Sequence, residues 1–204
     1  MEPIPEDHWR AWSPNELFDR IGRFSRRWYL VGGWALDIWH GHQTRDHEDL
    51  EFAVLPDEIE GCRRKLSELE CFRVVGKSLV HLPSSEPVPV DLWQVWGAEI
   101  AAGCWRVDLM TERGSRDIWS YKRQPTLQMP RAAAIRIDPA GISYLAPALV
   151  LLFKARYTRP KDKDDFLAAL PRLESEEKHD LMVWLEALHP GHEWIVDLKA
   201  SMGG

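Results

Sequence analysis

Asp49 and Glu51 stand two residues apart in the run Asp-Leu-Glu-Phe, where acidic and apolar residues alternate. In an extended strand that spacing puts both carboxylates on one face, with Cα atoms about 6.5 Å apart. Like charges so close repel unless a cation sits between them, and paired Mg²⁺ ions roughly 3.5–4 Å apart are the usual solution in phosphoryl and nucleotidyl transfer. Asp46 and Glu48 deepen the negative potential, while Arg45 and His47 offer positive counterparts. The plain alternative is a row of acids on the solvent face of an amphipathic strand. Upstream, Gly32-Gly33 lies between the apolar run Trp28-Tyr29-Leu30-Val31 and a stretch with helical spacing. A strand, a Gly-Gly turn and a helix N-terminus together offer unhindered backbone N–H groups to phosphate oxygens. A third carboxylate has two candidates in the same local text, Val90-Asp91-Leu92 and Val107-Asp108-Leu109. In the second, alternation turns Trp105, Val107 and Leu109 to the core and Asp108 to a cleft, where it could hold a metal or take a proton from an attacking hydroxyl.

These residues need elements to hold them. Ser13-Pro14-Asn15-Glu16 reads as a helix start with a capping box. Trp28–Val31 reads as a buried strand, and the helix from Trp34 to His40, with Trp34, Ile38 and Leu36 as candidates for its inward face, is closed by Gly41. Whether Asp37 faces the cleft or the outside is left open by the pattern. Asp49 to Leu55 reads as a strand, and Pro56 starts a charged helix reaching about Glu70. Strands are expected around Phe72–Val75, Val88–Trp96, Trp105–Thr111 and Ile118–Lys122, separated by loops containing Pro83, Pro87, Gly97, Gly103 and Gly114. Beyond Pro147 the spacing becomes helical, over Ala148–Tyr157, Lys161–Leu170 and Glu174–Leu188, with a short terminal helix after His189-Pro190-Gly191-His192. The order predicts an α+β fold, a 1–140 core followed by a 141–204 helical region packed on it or joined with it in a single domain.

The 204 residues suffice for a sizeable core, and the 11 tryptophans are expected mostly inside it, with Trp93, Trp96 or Trp119 available to stack on a base or sugar. A net charge of −6 argues against a sequence-independent grip on nucleic acid, leaves room for a local basic pocket, and suits a cationic substrate. Cys62, Cys71 and Cys104 show neither disulfide nor zinc spacing, the N-terminus lacks the apolar stretch of a signal peptide, and the apolar run from Ile142 to Phe153 is too short to span a bilayer, so a cytoplasmic protein is expected. His40, His42 and His47 lack further ligands at metal spacing, so His47 is expected to support the carboxylate strand or a phosphate. Lys161 and Asp165, four apart on a helix, read as a surface ion pair.

Taken together, Gly32-Gly33-Trp34-Ala35-Leu36-Asp37, Gly41, Thr44-Arg45, His47 and Asp49-Leu50-Glu51 resemble the aminoglycoside-adenylyltransferase-like branch of the polymerase-β nucleotidyltransferase superfamily. The likeness continues through Trp105-Arg-Val-Asp108-Leu109, Tyr144-Leu145-Ala146-Pro147, Leu151-Leu-Phe-Lys154-Ala155, Lys161-Asp162 with Asp165-Phe166, and His189-Pro190-Gly191-His192. The resemblance implies a small mixed sheet flanked by helices, with NTP, taken as ATP, and two Mg²⁺ at one edge. It assigns Asp49, Glu51 and Asp108 to metal binding and catalysis. Gly32, Gly33, Thr44, Arg45 and Lys154 fall to nucleotide binding. The implied reaction moves AMP onto a hydroxyl of a small acceptor such as an aminoglycoside-like cation, with no membrane or nucleic-acid partner. The chain departs from the common Asp-x-Asp by carrying Asp49-x-Glu51, and from relatives with an acid after the proline by carrying Ala148. The alternative is therefore a weakly active or inactive nucleotide-binding or toxin–antitoxin-type module.

Overall fold

The computed structural model describes residues 4–22 and 27–203. Helix α1 (Pro14–Ile21) leads to β1 (Trp28–Leu30), α2 (Gly32–His40), β2 (Glu51–Val54), α3 (Ile59–Lys65), β3 (Glu70–Val75), β4 (Ser78–Leu82), β5 (Gln94–Glu99) and β6 (Cys104–Thr111). There follow β7 (Ile118–Ser120), β8 (Gln128–Pro130), α4 (Arg131–Ala134), β9 (Ile135–Ile137), β10 (Ser143–Leu145), α5 (Pro147–Lys154), α6 (Pro160–Ala169), α7 (Ser175–Leu188) and α8 (Trp194–Met202). The expected α+β class holds.

One mixed sheet runs in the order β4-β3-β5-β6-β2-β1-β10-β9, and β7 and β8 form a separate ribbon. Strand β1 is buried along its length, antiparallel to β2 with Leu30 opposite Phe52, and parallel to β10 with Leu30 opposite Tyr144. Because β10 comes from beyond residue 140, the sheet draws on both sides of the soft boundary read from the sequence. Six of the eight residues of α5 are buried, so it behaves as a core helix, apolar on every side, and it packs on α2, α6 and α7. Ala148 is inside this contact, where an acidic side chain would lose its hydration.

Local chemistry explains several ends. Ser13 and Glu16 form the expected capping box, with the Ser13 N–H donating to Glu16 Oε2 at 2.8 Å and the Glu16 N–H to Ser13 Oγ at 3.3 Å, a motif worth about 1 kcal/mol. The strand expected from Asp49 begins at Glu51. The strand expected over Val88–Trp96 begins at Gln94 and extends through Gly97. Pro87 and Pro89 lack the N–H a ladder needs, and Leu92 instead closes a turn onto the Pro89 carbonyl at 3.1 Å. Gly97 belongs to the strand rather than a loop because Leu69 and Val107 pack where its side chain would be. The helix expected from Pro56 is a 3₁₀ turn over Pro56–Glu58 followed by α3. It stops early because Leu66 and Leu69 are drawn into the core. Strand β4 pairs with β3 across Gly76-Lys77, with Val75 opposite Ser78. Its largely exposed edge position gave no clear alternation to read. The helices after Pro147 fall within three residues of the expected spans. Among the described residues no helix is long and apolar enough to cross a membrane.

Candidate active site

Glu51 opens β2 and stands directly opposite Asp108 of its parallel neighbour β6. Asp49 lies just before the strand and lines the same small cleft as Glu51, while Leu50 and Phe52 point into the core. The facing read from alternation therefore survives the shorter strand. Burial, followed by the nearby Asp49 charge, pushes the Glu51 carboxyl up to about 7, against the pull of Lys154, Arg159 and Lys161. Asp108 is pushed well above the usual carboxylate range by burial and then by Glu51. Gln94 Nε2 donates to Asp108 Oδ2 at 2.6 Å, and the Trp96 side chain, interacting with the same carboxylate, joins Gln94 in pulling its pKa down against burial. Among the described residues no three His, Cys, Asp or Glu side chains already converge tightly enough to cage a metal. The donor set nevertheless fits a hard divalent cation, being all oxygen and mutually repelling. Asp91, the other candidate acid, is exposed on a turn and takes no part.

The first turn of α2, which begins at Gly32 rather than at the expected Trp34, is shaped around these acids. Gly32 has φ +62°, and a side chain there would run into the Glu51 carboxylate. A side chain at Gly33 would meet the His47 ring and lie 2.6 Å from Arg45 Nη2. Glycine is thus required both for backbone conformation and for close approach. The α2 N-terminus has no side-chain cap, which leaves its first N–H groups available to an anion. Asp37, whose direction the sequence left open, is buried and organises the following loop. Its Oδ1 accepts from the Thr44 N–H at 3.0 Å and hydroxyl at 2.5 Å, and its Oδ2 lies 2.5 Å from His47 Nε2. The Trp34 ring packs on His47 with centroids 4.4 Å apart, and its Nε1 donates to the Asp49 carbonyl at 3.1 Å. Burial draws the His47 pKa down despite Asp37.

The C-terminal helices supply the opposite charge. Lys154, at the end of α5, reaches Asp162 at 2.7 Å and Asp165 at 2.8 Å. Arg45 donates to Asp165 through Nε at 2.9 Å and Nη2 at 3.1 Å, and Arg159 donates to Asp162 at 2.8 and 3.1 Å. The surface ion pair expected between Lys161 and Asp165 is not formed. Asp165 is turned inward to Arg45 and Lys154, and Lys161 instead lies 3.5 Å from Glu48. Burial opposes ionisation of Asp162 and Asp165, but hydrogen bonds from Arg159 to the first and Arg45 to the second, with Lys154 on both, hold each below the usual range.

Two cavities meet at Glu51. A small polar one of about 40 Å³ is lined by Gly33, Arg45, Asp49, Lys154, Arg159 and Lys161, among others. The second, about 390 Å³, is walled by apolar residues including Met110, Trp119, Phe153 and Tyr157. Glu51, Lys154 and Arg159 border both. On the floor of the larger one Glu112 is ion-paired to buried Arg131 and accepts from the Tyr29 hydroxyl, to which Trp119 Nε1 donates at 3.1 Å. Lys122 also borders it, 4.0 Å over the Trp93 ring, its pKa lowered by burial.

Of the residues proposed from the sequence, Gly32, Gly33, Arg45, Asp49, Glu51 and Lys154 line one or both cavities. Asp108, expected on a cleft-lining face, is buried and lines neither cavity, and Thr44 faces Asp37 instead of either. Of the three tryptophans offered for stacking, Trp119 borders the large cavity, Trp93 is largely exposed, and Trp96 packs against Trp9 and Trp105 at 4.9 and 5.3 Å. Sequence reasoning missed Gln94, Arg159, Glu112 and Arg131, which carry no local signature. It also missed the roles of Asp162 and Asp165, whose three-residue spacing on one helix was visible.

Residues 15–90 match the model of the aminoglycoside-2''-adenylyltransferase family, a span holding the Gly-Gly turn and the Asp49-x-Glu51 pair. Among solved structures, the solution structure of the antibiotic-resistance factor ANT(2'')-Ia matches with a TM-score of 0.54 at 12% identity, over 92% of this chain and 94% of that one. A crystal structure of ANT(2'')-Ia in complex with adenylyl-2''-tobramycin matches with a TM-score of 0.45 at 10% identity, over 94% and 93%. No curated protein sequence matches the chain. The solution structure shows the shared fold, and the family match over residues 15–90 agrees with the resemblance read from the motifs.

Proposed function

We propose that the protein is a cytoplasmic, Mg²⁺-dependent nucleotidyltransferase that moves AMP from ATP onto a hydroxyl of a small acceptor, an aminoglycoside-like molecule being the first to test. The observation that carries this reading is the apposition of mutually repelling Glu51 and Asp108 to a glycine turn that admits no side chain, beside a cleft lined by four cations, Arg45, Lys154, Arg159 and Lys161. The backbone N–H groups of Gly32 and Gly33 and the four cations receive the β- and γ-phosphates. The larger cavity takes the nucleoside or the body of the acceptor, with Trp119, Phe153 and Tyr157 as its apolar walls. Asp108, whose carboxyl burial pushes above the usual carboxylate range, accepts the acceptor hydroxyl's proton. That oxygen bonds to the α-phosphorus as the bond to the β-phosphate oxygen breaks, and pyrophosphate leaves towards the cations. Mg²⁺ held by Asp49, Glu51 and Asp108 would neutralise the charge that develops on the transferring phosphate.

Calorimetric titration of ATP with and without Mg²⁺ tests this, comparing wild type with the double variant Asp49→Asn, Glu51→Gln. Metal-dependent binding lost in the variant supports the site. No binding by wild type, or equal binding by both, overturns it. Metal-dependent binding without transfer to any acceptor would favour the non-catalytic alternative, for which the burial of Asp108, which lines neither cavity, is the supporting observation.

A further inference from the structure

The cations of the small cleft come from separate parts of the chain, Arg45 from the loop after α2 and Lys154 from the end of α5. Like charges from two elements drift apart unless something pins them. One carboxylate does so here. Asp165 of α6 takes the Nε and Nη2 edge of Arg45 and the ammonium of Lys154, and it lines neither cavity. It grips both cations from behind while their other sides face the cleft.

Donor accounting shows what this leaves. A guanidinium has five N–H donors. Arg45 uses two on Asp165 and one, from Nη1, on the Asp46 carbonyl at 3.0 Å, so two remain. An ammonium has three. Lys154 gives one to Asp162 and one to Asp165, so one remains. Each cation is therefore fixed in place with donors unspent, the condition under which binding an anion costs little ordering of side chains.

We propose that Asp165 is a positioning residue for nucleotide binding, clamping Arg45 and Lys154 into a single phosphate-receiving pair. This rests on the nucleotidyltransferase reading and adds to it a residue that touches no substrate. The clamp depends on bidentate geometry, so an amide at 165, which offers only one oxygen, releases it.

The test is calorimetric binding of Mg²⁺–ATP to wild type, Asp165→Asn and Asp165→Glu, with thermal melts of all three. Wild-type binding is the control for the proposed function: its absence sinks that reading before the clamp is reached. With wild type binding, the clamp predicts about tenfold or greater weakening in Asp165→Asn and recovery to within a few-fold in Asp165→Glu. Asp165→Asn binding as tightly as wild type overturns the clamp and leaves the function intact. Equal weakening in both variants overturns it too, since loss without conservative rescue marks a general structural role. If Asp165→Asn does not fold, Arg45→Lys, which keeps the charge but loses the fork, carries the test. About fivefold or greater weakening is then expected, and unchanged affinity overturns the proposal.

Discussion

Glu51 and Asp108 on the sheet, and Asp162 and Asp165 on α6, are buried carboxylates of one neighbourhood, yet their titration is driven in opposite directions. Burial weighs against the charge of all four. On α6 it is outweighed by Arg159, Arg45 and Lys154 at hydrogen-bond distance. Among the described residues no cation is ion-paired to the sheet acids, and Asp49 raises the free energy of ionisation of Glu51 while Glu51 and Asp49 raise that of Asp108. The contrast separates roles. The α6 acids are finished structures whose charge is already answered. The sheet acids hold charge in reserve for something that arrives, the pattern expected of groups that meet a cation or accept a proton.

The largest expected effect tests the reserve. Glu51→Gln should lower nucleotidyl transfer by about three orders of magnitude or more. In metal-free buffer at pH 8 it should leave the melting temperature unchanged or raise it, because a repelled charge has been removed. A clear fall in melting temperature would show that Glu51 is satisfied and would erase the contrast. Next comes Asp162→Ala. Side-chain exposures of 2% for Asp162 and 7% for Lys154 mean that the buried ammonium loses a partner, so destabilisation of about 3 kcal/mol is expected by denaturant unfolding. A loss below about 1 kcal/mol would place the α6 acids with ordinary surface pairs.

Gly32→Ala should cost about 1–2 kcal/mol from its positive φ and also weaken Mg²⁺–ATP binding by displacing Glu51, as a melt and a titration on one sample would show. The pH dependence is subtler. Asp162 and Asp165 have depressed native pKa values, so their contribution is complete above the ordinary aspartate value of about 4 and is lost as pH falls through the native one. The stability gap between wild type and Asp162→Asn should stay level from pH 8 to about 5 and narrow below about 4. A gap that widens on acidification would reverse the sign assigned here. Smallest is Lys161→Ala, which removes a 3.5 Å contact to an exposed Glu48. It should change stability by less than about 0.5 kcal/mol.

Much of the sheet side of this contrast was legible in the sequence, and little of the helix side. Alternation put Asp49 and Glu51 on one face and turned Asp108 towards them, because a strand's two-residue period is local information. The paired glycines announced the close approach for the same reason. The ends of α2 and α5–α7 followed from caps and spacing. Asp165, by contrast, sits four residues from Lys161 on one helix, the spacing of a commonplace surface pair. Its true partners, Arg45 and Lys154, lie in other elements, and only the packing of α5 and α6 against the loop after α2 decides between the two. Strands β9 and β10 and the Gln94 contact to Asp108 were unreadable for a related reason. Short buried strands and cross-strand hydrogen bonds acquire their identity from neighbours far away in the chain.

The parallel pairing of Leu30 with Tyr144 bears on how the protein comes into being. During synthesis β1 and the glycine turn emerge early, whereas β10, which covers one edge of β1, emerges only after most of the chain has been made. Until then the backbone beside the turn is an open edge, prone to pairing with other chains. A ribosome-stalled chain ending near residue 140 should therefore remain sensitive to protease around β1 and recruit chaperones, with protection appearing once β10 and α5 have cleared the exit tunnel. High contact order of this kind also favours slow refolding, so recovery of the diluted protein from denaturant should be governed by closure of this late strand.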